Sequence, residues 1–410
     1  MAACFDGAHG SARLPEICLT AQRKGRILVV VTGLARGGAE CQVYNMSLGL
    51  RKRGWEVSVV SMIPLEGFAA DLIAAGIPVQ SLEMRPGRPN PWAVRRLARE
   101  IRRLAPDMVH SHCVHANVLA RVTRIVCPMR ALICTAHGAV EAARDADTAR
   151  VREFLYRLTD PAADVTTIVS HAAAARYARI GAVPRRKMTV IHPGVDTSHF
   201  KADGNLRSAA RSGLGLSESQ FAWLAAGRLE RVKDYPGMFT AFRAVHDGSP
   251  DARLLIAGEG SLQVELRSLA ERLGLARNIH FLGFQTDVNP LMNAADAYVM
   301  SSLNEGLPNV LLEAGACGLP IVTTRAGGAI EAVKPGETAW IVPTQDSQAL
   351  GDAMTAVMRL SPCRRSWLAD ASRQFVEEHF SMEHILSTWE DLYLQFLDRH
   401  AARSVSSHAA

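Results

Sequence analysis

Uninterrupted apolar runs of strand length alternate with segments of helical periodicity along almost the whole chain. Residues 26–32 (RILVVVT) form a valine-rich run, the pattern of a strand buried on both faces. A helical pattern at 39–53 follows. Strands are then predicted at 55–61, 79–82, 108–111, 132–135, 165–169 and 188–191, with helical patterns near 68–75, 91–104, from 116, 149–158 and 172–179 between them. Residues 192–215 carry Pro193, Gly194, Gly204, Asn205, Gly213 and Gly215 without sustained periodicity and read as a linker. The alternation restarts with strands predicted at 221–226, 254–257, 279–282, 297–300, 321–323 and 339–342. Two successive βα arrays predict an α/β protein of two Rossmann-like, doubly wound parallel-sheet domains facing a central cleft. The expected division is a tail at 1–23, domains at 24–200 and 201–382, and a terminal helix and tail at 383–410.

Composition narrows the class. A chain of 410 residues suits two domains. A hydrophobic share of 48% with 21% charged residues excludes a disordered chain. The longest apolar runs fall far below the roughly 18 residues that span a bilayer. Residues 1–22 interrupt any apolar stretch with Asp6, His9, Ser11 and Pro15, so no secretory signal is expected. The eight cysteines form no Cys-x-x-Cys pair, and the expectation is reduced thiols in the cytoplasm. Charge divides unevenly: residues 1–200 hold 27 Lys+Arg against 16 Asp+Glu, and the remainder holds 19 against 24. A basic first half and an acidic second half suit different partners.

In doubly wound sheets, ligands bind beyond the carboxyl ends of the strands. Residues 297–320 (AYVMSSLNEGLPNVLLEAGACGLP) read as a strand, a polar turn and a helix, with Pro308 suited to the first helical turn. The amides of Gly306, Leu307, Asn309 and Val310 then project from a helix N-terminus, a site for an anion. Glu305 lies beside it and Glu313 deeper, where carboxylates can accept hydrogen bonds from sugar hydroxyls. Taken alone, two glutamates are more simply a solvated and a locally bonded side chain. The segment 225–234 (AAGRLERVKD) adds Arg228 and Lys233 beyond another strand end, two cations suited to a diphosphate.

Together these segments resemble the nucleotide-sugar half of glycosyltransferase family 4: Gly227-Arg228 with Lys233, Gly258-Glu259-Gly260, Glu305-x7-Glu313, and Gly327-Gly328 with Glu331. The amino half agrees through TGLARGGAE (32–40), VHSH (109–112), TAHG (135–138) and VIHPGVD (190–196), so the resemblance runs from residue 27 to about residue 397. It implies retaining enzymes of the two-domain GT-B fold, with an acceptor-binding first domain, a donor-binding second domain, and a C-terminal helix (Trp389, Leu392, Leu394, Phe396) crossing back onto the first. By the same resemblance Arg228 and Lys233 hold the donor diphosphate and Glu313 the ribose. Glu305 then takes the hydroxyls of the transferred sugar, and the amides around Gly306 and Pro308 complete the cradle. Gly37 and Gly38 approach the diphosphate from the facing domain, and His137 lies near the sugar. The implied activity is transfer from a nucleotide-sugar, a UDP-sugar, to a glycan or lipid-linked acceptor of polysaccharide or lipopolysaccharide biosynthesis, with no metal or other cofactor. A small soluble acceptor, or a catalytically silent binding protein, are the alternatives.

Other signals weigh less. Gly33-x3-Gly37-Gly38 departs from the Gly-x-Gly-x-x-Gly dinucleotide fingerprint. Asp145-Ala-Asp147 is expected by chance among 19 aspartates. His110, His112 and His115 lack zinc-ligand spacing, so no metal is expected, and His112 reads as an acceptor-side polar residue. Residues 91–104 set Arg95, Arg96, Arg99, Arg102 and Arg103 around an apolar stripe of Trp92, Leu97, Ile101 and Leu104. Such a helix suits an anionic membrane or a diphosphate-bearing acceptor, which places the expected enzyme in the cytoplasm, peripheral on the inner face of the plasma membrane. Nucleic acid is not expected, for want of interleaved aromatics.

Overall fold

The computed structural model describes residues 24–86, 90–138 and 146–408. The expected tail at 1–23 and Asp145 lie outside the described residues. Seven parallel strands build the first sheet: β1 (Gly25–Val31), β2 (Trp55–Ser61), β3 (Val79–Ser81), β4 (Met108–His112), β5 (Leu132–Ala136), β6 (Val165–Ile168) and β7 (Met188–Val190). Between them run α1 (Gly38–Lys52), α2 (Phe68–Ala74), α3 (Trp92–Leu104), α4 (Val114–Val126), α5 (Ala146–Thr159) and α6 (His171–Arg179). After α7 (Gly204–Gly213), a second sheet of six parallel strands contains β8 (Ala222–Ala226), β9 (Arg253–Ala257), β10 (Ile279–Gly283), β11 (Ala297–Met300), β12 (Ile321–Thr324) and β13 (Ala339–Val342). Its helices are α8 (Tyr235–Gly248), α9 (Gln263–Arg272), α10 (Asn289–Ala294), α11 (Asn309–Ala316) and α12 (Ser347–Met358). Two more, α13 (Pro362–Phe380) and α14 (Met382–His408), close the chain.

The sheet orders are β3-β2-β1-β4-β5-β6-β7 and β10-β9-β8-β11-β12-β13. Each reverses direction once, between β1 and β4 and between β8 and β11. Loops leaving neighbouring strands diverge at such a point and open a crevice. The valine run explains why β1 lies centrally: Leu28, Val29, Val30 and Val31 are all wholly buried, each contributing about 1.5–3 kcal/mol by leaving water. Helices cover both faces, so each sheet has two apolar layers rather than one.

The chain passes between the lobes twice, and the passages run together. Val195 donates to the Phe380 carbonyl (2.8 Å) and Met382 donates to the Val195 carbonyl (2.8 Å). Beyond this crossing, α14 lays Ile385, Leu386, Trp389, Tyr393 and Phe396 into the core of the first sheet, beside Ile27, Val29 and Leu50. The expected crossover is therefore present, except that Leu394 faces solvent. The expected linker contains a helix, α7, capped by Asp203 through its bonds to the Asn205 and Leu206 amides.

Candidate functional site

The loops that leave β1, β8 and β11 hold most of the predicted residues. After β8 the chain turns at Gly227 (φ 156°), whose carbonyl accepts the Tyr235 hydroxyl at 3.0 Å. Gly258 belongs to this turn for a structural reason: a Cβ there would collide with the Gly227 carbonyl, and one at Gly260 would collide with Leu229. A single helical turn, Arg231–Lys233, ends at Asp234 in a left-handed conformation (φ 48°), and the Asp234 carboxylate caps α8 through the Gly237 amide. Ser301 Oγ, at the end of β11, lies 2.7 and 2.9 Å from the Lys233 and Asp234 carbonyls, and the Leu303 amide donates to the Val232 carbonyl. This stitching sets the two loops side by side. Lys233 Nζ consequently donates to Glu305 Oε1 at 2.6 Å, both side chains being mostly buried.

Glu305 leads into α11. Pro308 occupies the capping position in extended conformation (φ −78°, ψ 117°), so the helix starts at Asn309, one residue later than the sequence suggested. Pro308 has no N–H, and the preceding Leu307 side chain belongs to the core of the second lobe. The capping residues of α11 and α1, Pro308 and Gly37, bring no side-chain bond, although the Glu40 carboxylate bonds its own amide in the first turn of α1. The two N-termini meet: Asn309 Nδ2 donates to the Gly38 carbonyl at 3.0 Å. A helix N-terminus leaves donors unpaired and carries a partial positive charge. Two of them face one crevice, with Lys233 at its edge.

Arg228 is exposed, and its charge acts on Glu40 in the first turn of α1 across the crevice. Burial pushes the Glu40 carboxyl up, and the bond to its own backbone amide, then the Arg228 charge, partly oppose this. Glu313 lies on α11 with Val310, both partly buried. Burial raises its carboxyl to about 7, with a further push from the Asp287 charge. Burial, and next the Glu313 charge, push the Cys41 thiol on α1 up to about 12.

The remaining contacts close the lobes. A side chain at Gly306 would collide with the His137 carbonyl, and one at Gly328 with Gly306. His137 Nε2 lies 2.9 Å from His112 Nδ1. His110 lies tilted against His112 (4.0 Å between ring centres) and bonds to Tyr393 and Thr135, so it is a core residue. Glu331 accepts from the His171 and Ala172 amides (2.8 Å each) at the N-terminus of α6 and lies 3.2 Å from His192 Nε2. Among the described residues, His171, His192 and Glu331 are the one group spaced for a metal ion. The glutamate oxygens already hold backbone donors there, as a helix cap does.

The arginines of α3 stand apart from this crevice. Arg95 covers the Trp92 ring (4.7 Å), Arg96 donates to the Leu82 carbonyl and Arg103 pairs with Glu100. The face is thus less free than the sequence implied, with Arg99 and Arg102 exposed. Sequence reasoning gave no role to Glu40, Ser301 or Glu331, although each lies in a segment it singled out; the partners of Glu331 lie 139 to 160 residues away in sequence.

Comparison with known proteins bears on the reading. Residues 36–199 match Glycosyltransferase Family 4, and residues 207–374 match Glycosyl transferases group 1. The N-acetyl-alpha-D-glucosaminyl L-malate synthase of Bacillus anthracis is 26% identical over 71% of this chain and 75% of its own length. The lipopolysaccharide core biosynthesis glycosyltransferase LpsE of Rhizobium meliloti is 30% identical over 49% of this chain and 56% of its own. The GDP-mannose-dependent alpha-(1-6)-phosphatidylinositol monomannoside mannosyltransferase of Mycolicibacterium smegmatis is 31% identical over 53% and 59%. In fold, the chain is similar to Anabaena HepE in complex with UDP (TM-score 0.79, 23% identity, 90% of this chain and 100% of that one). It is also similar to the lipopolysaccharide glycosyltransferase WaaG (TM-score 0.72, 18% identity, 90% and 99%). The architecture is that of the GT-B glycosyltransferases, and the two family matches, each over about two fifths of the chain, set a Glycosyltransferase Family 4 first half before a Glycosyl transferases group 1 second half.

Proposed function

We propose that the protein transfers a sugar from a nucleoside-diphosphate sugar, a UDP-sugar, to a glycan or lipid-linked acceptor, with retention at the anomeric carbon. One observation carries this reading: two helix N-termini whose capping residues, Gly37 and Pro308, bring no side-chain bond meet near Lys233. A diphosphate satisfies both sets of donors at once. Arg228 closes the open side. As the bond to the sugar breaks, charge accumulates on the leaving phosphate, and donors already in position stabilise it without reorganisation. Lys233 is then shared between the phosphate and Glu305, which orients Glu305 toward the hydroxyls of the transferred sugar. Glu313 accepts from the ribose. For retention, the acceptor hydroxyl approaches the face the phosphate leaves, and a phosphate oxygen takes its proton.

The neutralising charge comes from side chains and amides, so we expect transfer to persist in EDTA. A rate lost in EDTA and restored by Mg²⁺ would exclude the metal-independent scheme. The relatives that act on lipopolysaccharide core and phosphatidylinositol mannoside by name support a lipid-linked acceptor. No helix among the described residues is long and apolar enough to cross a membrane. The exposed arginines of α3 would then meet an anionic cytoplasmic surface. The direct test is a panel of nucleotide-sugars screened by thermal shift, then assayed with product anomers read by NMR. A UDP-sugar is expected to raise the midpoint most and to give a product of unchanged configuration. No stabilisation by any nucleotide-sugar would defeat the reading.

A further inference from the structure

Glu40 is the third residue of α1, at the edge of the crevice assigned to the diphosphate. Its side chain turns back over the start of the helix. A Cβ at Gly37 would stand 2.5 Å from Glu40 Oε2, and the carboxylate bonds its own amide. The Gly37 amide is engaged elsewhere, donating to the Ala35 carbonyl at 2.8 Å. Arg36, the basic residue closest in sequence, is committed to Asp71 at 2.8 Å. The positive charge that answers Glu40 comes instead from Arg228, across the crevice. Beside this point Asn309 Nδ2 reaches the Gly38 carbonyl from the start of α11. A partly buried carboxylate therefore already stands among the donors that would hold a diphosphate, where charges are screened less than in open water.

An anion placed there works hardest against the ligand that brings most negative charge. The donor and the spent nucleotide differ in that respect. In a nucleoside-diphosphate sugar both phosphates are esterified, and the pair carries about two negative charges. Transfer breaks the bond between the anomeric carbon and the phosphate oxygen. The oxygen keeps the electron pair and takes the acceptor's proton. It gives that proton up to water at pH 8, because the second ionisation of a terminal phosphate lies near about pH 6, so the released diphosphate carries about three charges.

We propose that the Glu40 carboxylate disfavours the released nucleoside diphosphate relative to the donor, so that product leaves and fresh donor replaces it. Glu40 is then a specificity-determining residue of the nucleotide site, and the inference rests on the assignment of this crevice to a diphosphate. One extra unit charge about 6 Å away in a partly shielded crevice changes binding about 3- to 10-fold. A glutamate in the first turn also supports the helix N-terminus. That role alone alters stability and leaves the ranking of ligands unchanged. Glutamine separates the two, since it can accept the same hydrogen bond without the charge.

The test is calorimetry at pH 8 on the full chain, with UDP and with UDP methylated on its terminal phosphate, which has the donor's charge and no sugar. Glu40→Gln should tighten UDP more than the methyl ester, moving the ratio of their affinities toward UDP by about 3- to 10-fold. Glu40→Ala should move it the same way, with thermal midpoints showing both variants folded. Glu66→Gln removes an exposed carboxylate whose charge also reaches Glu40, and it should leave the ratio within about 2-fold of wild type. An unchanged ratio in the Glu40 variants would overturn the proposal, as would an equal shift in Glu66→Gln. The wild type separates the two levels. Failure to bind UDP there defeats the diphosphate reading itself, whereas UDP binding with a ratio indifferent to Glu40 defeats only this role.

Discussion

Glu313 is the residue whose titration reports the site most simply. Burial raises its carboxyl to about 7, whereas accepting from ribose hydroxyls requires the anion. Donor affinity should therefore tighten as pH rises from 6 toward 8, and Glu313→Gln should bind more weakly with a flat profile, both read by calorimetry. The stability consequence has the opposite sign. A carboxyl raised in the fold stabilises fully below its ordinary value of 4.5, and that contribution is lost as pH rises through about 7. Without donor at pH 8, Glu313→Gln should melt a few degrees higher than wild type; a lower midpoint would mean that the carboxylate has a partner in the unliganded fold. Arg228 and Lys233 were legible as candidates in the sequence as cations beyond a strand end, and Glu305 and Glu313 through the family resemblance. The Lys233–Glu305 contact was not, since it depends on Ser301 and Leu303 tying two loops together.

At the scale of elements, strands were easy to read and one helix was hidden. Apolar runs between turn residues define β1, β2 and β11 to within a residue or two. Helix α7 escaped because its inward face carries charge: Arg211 is 1% exposed and donates to the Ala294 and Gln220 carbonyls, while Arg207 and Arg211 both reach Asp296. A buried guanidinium removes the apolar stripe that periodicity looks for. Arg211→Ala should destabilise the second lobe by about 3 kcal/mol in urea unfolding, because it leaves buried carbonyls and half of an ion pair unmatched. A loss under about 0.5 kcal/mol would mean that water replaces it. On the opposite lobe, Trp92 on α3 and Val151, Phe154 and Leu158 on α5 are each more than half exposed. Exposed apolar side chains on two helices that each pack against α4, together with the exposed arginines of α3, suit a membrane surface. Co-sedimentation with anionic vesicles should fall when Arg95, Arg99 and Arg102 are replaced together by Glu; unchanged binding would remove α3 from that role.

Across the whole molecule, function depends on bringing the two sheets' switch points together. Glu331 helps hold them. Burial pushes its carboxyl up, but His192 and the Ala172 and His171 amides more than offset this and leave it lowered. Its contribution is therefore present above the ordinary value of 4.5 and fades only in stronger acid. Glu331→Gln should loosen the lobes at neutral pH, seen as a larger radius of gyration in solution scattering; an unchanged radius would show the clasp to be redundant. None of this was visible in the amino-acid pattern, because the clasp joins residues that only the fold makes neighbours. The two-lobed plan itself was visible, being repeated in the alternation of runs along the chain.

The most direct measurement is UDP binding by calorimetry to the wild type, Arg228→Ala and Lys233→Ala. Removing either cation should weaken UDP about 10- to 100-fold, the worth of a charge-assisted hydrogen bond in a shielded crevice. Lys233→Ala should be the worse of the two, since it also leaves Glu305 unpaired beside the diphosphate. Unchanged UDP affinity in both variants, with the fold intact, would contradict the assignment of this crevice to a nucleotide diphosphate.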